Sequence, residues 1–221
     1  MSRRIESLFL PGPAGRLEAQ LDSPAPAAPE ASGRAGWVGL VCHPHPLYGG
    51  TMRNKVVQAA ARALRDHGLP VLRFNFRGTG LSEGVHDRGR GEADDVRAAL
   101  DYLATDFPGA RVCLAGFSFG AWVGLRAGCG ERRVGAVIGI GLAAASDDFS
   151  FLRRCRKPKL IVQGTRDIYG TPASVSAVFA AAAPPKELCW VEAADHFFSA
   201  HLAALRSALS SCLPVLLTAE G

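Results

Sequence analysis

The chain twice carries a serine in the spacing Gly-x-Ser-x-Gly, at Gly80-Leu-Ser82-Glu-Gly84 and at Gly116-Phe-Ser118-Phe-Gly120. A serine hydroxyl becomes a nucleophile for acyl transfer when a base takes its proton and a tight strand-to-helix turn presents it. Small residues two positions either side let such a strained turn approach its neighbours. Ser118 meets this requirement. Val112-Cys-Leu-Ala-Gly116 is an apolar strand, and a helix starts at once with Phe119-Gly-Ala-Trp-Val-Gly-Leu125. Ser82 lies instead in a polar loop, 77–91, well before the next helix, and its glycines read as turn residues. Ser118 is therefore the candidate nucleophile, the plainer alternative being a serine that caps a helix. Ser82 is expected to support a loop.

The base must be held in one tautomer by an acid, and on a strand–turn–helix scaffold the chain order is serine, acid, histidine. Two histidines follow Ser118, His196 and His201. His196 comes a short turn after the strand Leu188-Cys-Trp-Val191, whereas His201 falls within the final helix, so His196 is the candidate base. Asp167 ends the strand-and-turn Leu160-Ile-Val-Gln-Gly-Thr-Arg-Asp167 and is the candidate acid. Asp148 is the runner-up, and Asp195 is disfavoured because neighbouring side chains seldom face one another in an extended turn.

Acyl transfer also needs donors for an oxyanion. One is expected from the backbone N–H of Phe119, at the positive end of a helix. The second is expected from the loop Cys42-His-Pro-His-Pro-Leu-Tyr-Gly-Gly50, where Pro44 and Pro46 carry no N–H, narrowing the choice to His43, His45 or Leu47. His45 occupies the place where such a donor usually lies. His43 and His45 also invite a metal reading, but the prolines restrict their convergence and no further ligand cluster accompanies them. No metal and no cofactor are called for, and His43 is expected to brace the loop. Leu47, Phe149, Phe151 and Phe197 are candidates to line an acyl-binding pocket.

These residues need a frame. Ile5–Leu10 and Arg16–Asp22 flank a Pro-Gly-Pro-Ala-Gly turn and read as a hairpin, followed by a Pro/Ala/Gly-rich loop from Pro24 to Gly36. Strands are then expected at Trp37–His43, Leu69–Phe76, Arg111–Gly116, Val134–Leu142, Lys159–Gln163 and Glu187–Glu192. Between them the apolar spacing predicts helices over Arg53–His67, Glu92–Asp106, Phe119–Cys129 and Pro172–Ala183, with a last helix over Ser199–Leu213. Strict alternation predicts one α/β domain over residues 1–221 with a mostly parallel sheet.

Composition agrees with this frame. Of 221 residues, 48% are hydrophobic and 20% charged, enough for a sizeable core. The net charge of +5 is scattered rather than gathered in a stripe, which argues against nucleic acid as a partner. The longest apolar stretch, Val134 to Ala145, is 12 residues with three glycines, too short to span a membrane, and the N-terminus lacks a secretory pattern. A cytoplasmic protein acting on a small acyl substrate is expected, its oligomeric state unread. The six cysteines are spread singly, so reduced thiols are expected.

Five segments together resemble the α/β-hydrolase superfamily, in particular a group of small bacterial serine hydrolases. They are HPHPLYGGTMRNKVV (43–57), FNFRGTGLSEGVHDRGRGEADD (74–95), AGFSFGAWV (115–123), QGTRD (163–167) and ADHFF (194–198). The resemblance implies an eight-stranded, mostly parallel sheet with one antiparallel strand near its start, and a Ser118–His196–Asp167 triad. Dienelactone hydrolases share the architecture but use a cysteine where Ser118 stands.

Larger members insert a helical lid after the strand corresponding to Val134–Leu142. Here about 15 residues separate that strand from Pro158, so an open site is expected. The same connection carries Arg153, Arg154, Arg156, Lys157 and Lys159, read as a solvated basic face or as an attractor of anionic substrate. The expected activity is a short-acyl carboxylesterase. A thioesterase or acyl-peptidase with the same residues, or a non-catalytic binding protein on this fold, are the competing readings.

Overall fold

The apolar runs become strands buried on both faces. The computed structural model describes residues 4–23 and 36–218; the loop expected from Pro24 falls outside them except for Gly36. Eight strands form one sheet: β1 (Arg4–Gly12), β2 (Gly15–Ser23), β3 (Trp37–Cys42), β4 (Val71–Phe74), β5 (Arg111–Phe117), β6 (Val134–Ile140), β7 (Lys159–Gly164) and β8 (Lys186–Val191). Their spatial order is β1-β2-β4-β3-β5-β6-β7-β8. β2 runs antiparallel to both its neighbours, β1 and β4, and every pairing from β4 to β8 is parallel. This is the mostly parallel sheet with one antiparallel strand that the sequence leads one to expect.

Five helices cover the sheet: α1 (Lys55–Asp66), α2 (Arg90–Asp106), α3 (Phe119–Cys129), α4 (Pro172–Ala181) and α5 (Leu202–Thr218). Strand alternation divides the core in two. Val38, Leu40, Val112 and Leu114 pack with α2 and α3, while Val41, Cys113, Ala115 and Phe117 pack with α1 and α5. The chain goes from β3 out to β4 and returns to lay β5 on the other side of β3. That reversal opens a crevice beyond the carboxyl ends of β3 and β5, the usual place for a ligand in an open α/β sheet.

Three expectations need correction. The last helix begins at Leu202, leaving His201 in the turn before it, and runs past Pro214 to Thr218 instead of spanning Ser199–Leu213. An interior proline costs a helix about 3 kcal/mol, but Leu213, Leu216 and Leu217 are all buried here, and each such side chain returns about 1.5–3 kcal/mol. Second, the cysteines are not all reduced, because Cys129 and Cys155 form a disulfide. Residues 26 apart in sequence are brought together by the end of α3 and a 3-10 turn at Ser150–Arg153, with Cα atoms 5.2 Å apart, a separation that a disulfide spans. Third, strand β4 is shorter than the apolar run Leu69–Phe76, since Leu69 and Phe76 enter and leave the sheet as buried loop residues.

The connection from β6 to β7 holds no α-helix, only that 3-10 turn, so no lid stands over the crevice. Among the described residues no helix is long and apolar enough to cross a membrane.

Candidate active site

Ser118 sits between β5 and α3 with φ 54° and ψ −121°, a conformation that non-glycine residues adopt only under constraint. The flanking glycines supply the room. A Cβ on Gly116 would run into the Gly120 carbonyl, and one on Gly120 into the carbonyl oxygens of His43 and Cys42. The Ser118 N–H donates to Ile140 O at 3.0 Å, tying the turn to β6.

His196 Nε2 lies 3.0 Å from Ser118 Oγ, and His196 Nδ1 lies 2.7 Å from Asp167 Oδ2. Asp167 follows the end of β7 and His196 the end of β8, so all three side chains gather at the carboxyl edge of the sheet. The carboxylate is 2% exposed as a residue and fully engaged: Oδ1 accepts from Tyr169 N (2.8 Å) and Gly170 N (3.0 Å), and Oδ2 from Gln163 Nε2 (2.7 Å). An acceptor-only group facing His196 Nδ1 puts the proton there and leaves Nε2 as the acceptor toward the serine. Neither alternative acid approaches this group. Asp148 is turned onto Ser150, bonding its N–H at 2.8 Å and its hydroxyl at 2.9 Å, and Asp195 accepts from Ser199 N at 2.9 Å.

The loop after β3 is braced by His43. Its ring is fully buried, Nε2 accepts from Phe76 N at 2.9 Å, and Nδ1 donates to Pro44 O at 2.6 Å. Burial pushes its pKa down to about 4, which keeps it neutral and able to accept. His45 begins a 3-10 turn at Pro46–Tyr48, and its Nδ1 accepts from Leu47 N at 3.2 Å. That bond occupies one of the three N–H groups open to an oxyanion role on this loop. The Phe119 N–H belongs to the first turn of α3, where no intrahelical partner exists.

An open cavity of about 510 Å³ lies over Ser118 and His196, walled by His45, Tyr48, Phe119, Tyr169 and Phe197 among others. Phe197 is thus in place as an expected lining residue. Leu47, 68% exposed, stands outside this wall. Phe149 is buried in the core, and Phe151 faces a separate groove along α3. Phe151 lies within the 3-10 turn Ser150–Arg153 and Phe149 precedes it, a placement that a run of aromatic residues does not reveal. That groove, about 670 Å³, is larger but is lined by no histidine, and its one hydroxyl, on Ser150, donates to Asp148 at 2.9 Å.

Other residues at the site are missed by sequence reasoning. Gln163 holds Asp167, and the Tyr169 ring packs 4.7 Å from the His196 ring. His86 stacks 4.9 Å from His45, with Nδ1 2.8 Å from Glu92 Oε1. Glu92 is wholly buried and also accepts from Asp87 N (2.9 Å) and Gly89 N (2.7 Å), a reach-back that caps α2. Burial holds the His45 pKa below its ordinary value, and the neighbouring His86 adds to this. Glu92, three residues after Gly89, was the one local signal available.

A serine raised on a strained strand-to-helix turn at the edge of a parallel sheet defines an α/β-hydrolase fold. Residues 47–211 match the family model of the alpha/beta hydrolase domain, and the chain belongs to this family. Its fold is similar to the crystal structure of an α/β serine hydrolase without lid from Xanthomonas campestris, with a TM-score of 0.88 and 36% identity over 100% of this chain and 99% of that one. An α/β serine hydrolase homologue from Coxiella burnetii matches with a TM-score of 0.87 and 36% identity, over 94% of this chain and 97% of that one. An uncharacterized protein of Rickettsia prowazekii is 40% identical over 168 residues, 74% of this chain and 67% of the relative.

Proposed function

We propose that the protein is a serine carboxylesterase that cleaves small or short-acyl esters through an acyl-enzyme on Ser118. The observation that carries this reading is the placement of one imidazole between Ser118 Oγ at 3.0 Å and the Asp167 carboxylate at 2.7 Å. Ser118 Oγ attacks the ester carbonyl while its proton passes to His196 Nε2. Asp167 keeps the other ring nitrogen protonated and stabilises the imidazolium that forms. The tetrahedral oxyanion is received by the N–H groups of Phe119 and His45. His196 then protonates the departing alkoxide, and water, deprotonated by the same nitrogen, releases the acid and restores the serine.

The cavity supports this choice of substrate class. It is open to solvent, lidless and about 510 Å³, with Phe197, Tyr169 and Tyr48 as apolar wall. Such a site takes compact acyl groups and gains nothing from an oil–water interface.

The test is reaction with a fluorophosphonate probe, location of the adduct by mass spectrometry, and an ester series of increasing acyl length. Labelling of Ser118 is expected in the unaltered protein and in Ser82→Ala, with none in Ser118→Ala. The rate should fall as the acyl chain lengthens. Absence of an adduct on folded protein, or a rate that jumps when a triglyceride forms an emulsion, would refute the proposal.

A further inference from the structure

On the outer edge of the sheet, far along the fold from the Ser118 turn, three metal-ligating side chains converge. Residues two apart on a strand share a face, so β8 turns Glu187 and Cys189 to the same side, toward α5, which offers Cys212. The two Sγ atoms are 3.2 Å apart; Glu187 Oε1 lies 3.2 Å from Cys212 Sγ and 3.9 Å from Cys189 Sγ. We propose that Glu187, Cys189 and Cys212 form a binding site for a zinc-class divalent cation, with a fourth position open to solvent.

The geometry is close to what such an ion requires. Zinc bonds of about 2.3 Å to sulfur and about 2.0–2.2 Å to oxygen place tetrahedral ligand atoms roughly 3.4–3.8 Å from one another. The observed separations bracket that range, and small side-chain rotations that part the sulfurs by about half an ångström complete three corners. Glu187 is exposed and Cys189 half-buried, so an entering ion and a bound water both have access. Cys212 is buried and supplies the inner corner.

The electrostatics point the same way. Both thiols crowd one carboxylate oxygen, and among the described residues Glu187 has no lysine or arginine in ion-pair contact. A divalent ion displaces both protons, leaving two thiolates and one carboxylate around a dipositive charge, and two protons go to solvent. No electron is transferred. The bound ion would tie β8 to α5, the two elements between which the His196 segment is strung.

The test uses the full-length protein, reduced with a non-thiol phosphine so that all free sulfurs are available, and titrated with Co²⁺ and then Zn²⁺. One Co²⁺ per chain is expected, with a thiolate charge-transfer band and the intense visible bands of a tetrahedral site, bleached by stoichiometric Zn²⁺. Zn²⁺ should raise Tm, since a ligand that binds only the folded chain stabilises it. Cys189→Ser and Cys212→Ser should each abolish the charge-transfer band, and Glu187→Gln should weaken binding at least tenfold while leaving the fold intact. Cys113→Ser, whose thiol is buried elsewhere, should bind as the parent does. A band that survives loss of both cysteines would overturn the site. So would recovery of Cys189 and Cys212 as a disulfide together with no metal uptake after reduction. The outcome is independent of esterase activity, which the Ser118 probe reads separately.

Discussion

Gln163 donates its side-chain amide to Asp167 Oδ2 at 2.7 Å, and this is the same oxygen that faces His196. The amide is itself fixed at both ends. Its oxygen accepts from Leu142 N at 2.7 Å and its nitrogen also reaches Gly170 O at 3.0 Å. Asp167 is thereby prevented from rotating, and the side chain that prevents it comes from the penultimate residue of β7, four residues earlier. In physical terms the orientation of His196 is decided one bond further out than the carboxylate.

Replacing Gln163 by Leu therefore should lower kcat about tenfold, which is roughly 1.4 kcal/mol of transition-state stabilisation, with KM little changed. The Leu142 N–H and the Gly170 carbonyl also lose a buried partner, at about 1–3 kcal/mol for each group left unsatisfied. Steady-state kinetics on an ester, paired with a thermal melt, separates the two effects. A folded variant with full kcat would show that Gln163 serves packing alone.

Ser82 answers to the same short pattern as Ser118, yet its surroundings differ. Its Oγ donates to Asn75 O at 2.7 Å and accepts from Glu18 N at 2.9 Å, stitching the loop after β4 to β2. Ser82→Ala should cost about 1–3 kcal/mol of stability by leaving these backbone groups unpaired, seen as a fall in Tm. Its kcat/KM, measured well below that Tm, should match the parent. A loss of turnover without a loss of stability would give Ser82 a role in the chemistry.

Gly120 and Gly130 offer a controlled comparison at the two ends of α3. A methyl on Gly120 meets the main-chain oxygens of His43 and Cys42, which belong to the end of β3 and cannot swing aside. Gly130 has φ −89° and open space around it. Gly120→Ala should therefore destabilise strongly, by about 3 kcal/mol or more of overpacking, and displace the loop that carries His45. Gly130→Ala should be neutral or stabilise by about 0.4–1 kcal/mol through the unfolded chain. Denaturant melts of the pair decide the matter, and equal stabilities would contradict the close packing at the turn.

How much of this was legible in the sequence depends on how local each feature is. Ser118 stands directly after an apolar run and Asp167 and His196 a short turn after theirs, and a parallel sheet sends every such position to one edge, so their grouping can be anticipated without any knowledge of contacts. The opening hairpin is legible in the Pro-Gly-Pro turn, whereas the single antiparallel strand is what the resemblance to α/β hydrolases implies. Gln163 was not legible, since a glutamine in an apolar run gives no sign of which carboxylate it will meet. The His45–His86 stack and the Cys129–Cys155 bond join segments separated by whole elements, and spacing carries no trace of them. Phe149 and Phe151 fail for a related reason: their direction is set by a 3-10 turn that polar and basic residues conceal.

Lys159 provides the pH prediction. Contrary to the solvated basic face expected of the 153–159 connection, Lys159 is 2% exposed as the first residue of β7, and its Nζ donates to Ala183 O at 2.7 Å and Pro185 O at 3.1 Å. Burial, with a smaller contribution from the charge on Lys186, pushes its pKa down from 10.5 to about 8. Between those values the unfolded chain binds more protons at this site than the folded one, so stability rises with pH across the window. Below pH 8 the ammonium is present in both states and the penalty of burying it is constant. Above 10.5 both states carry the neutral amine, whose two N–H groups still satisfy both carbonyls. Thermal melts of the parent and Lys159→Met should therefore diverge in the parent's favour as pH is raised from 8 toward 10.5, because the methionine has nothing to titrate. Curves that stay parallel through that range would mean that the two carbonyls stabilise the ammonium as well as water does, and that Lys159 is held charged inside the fold.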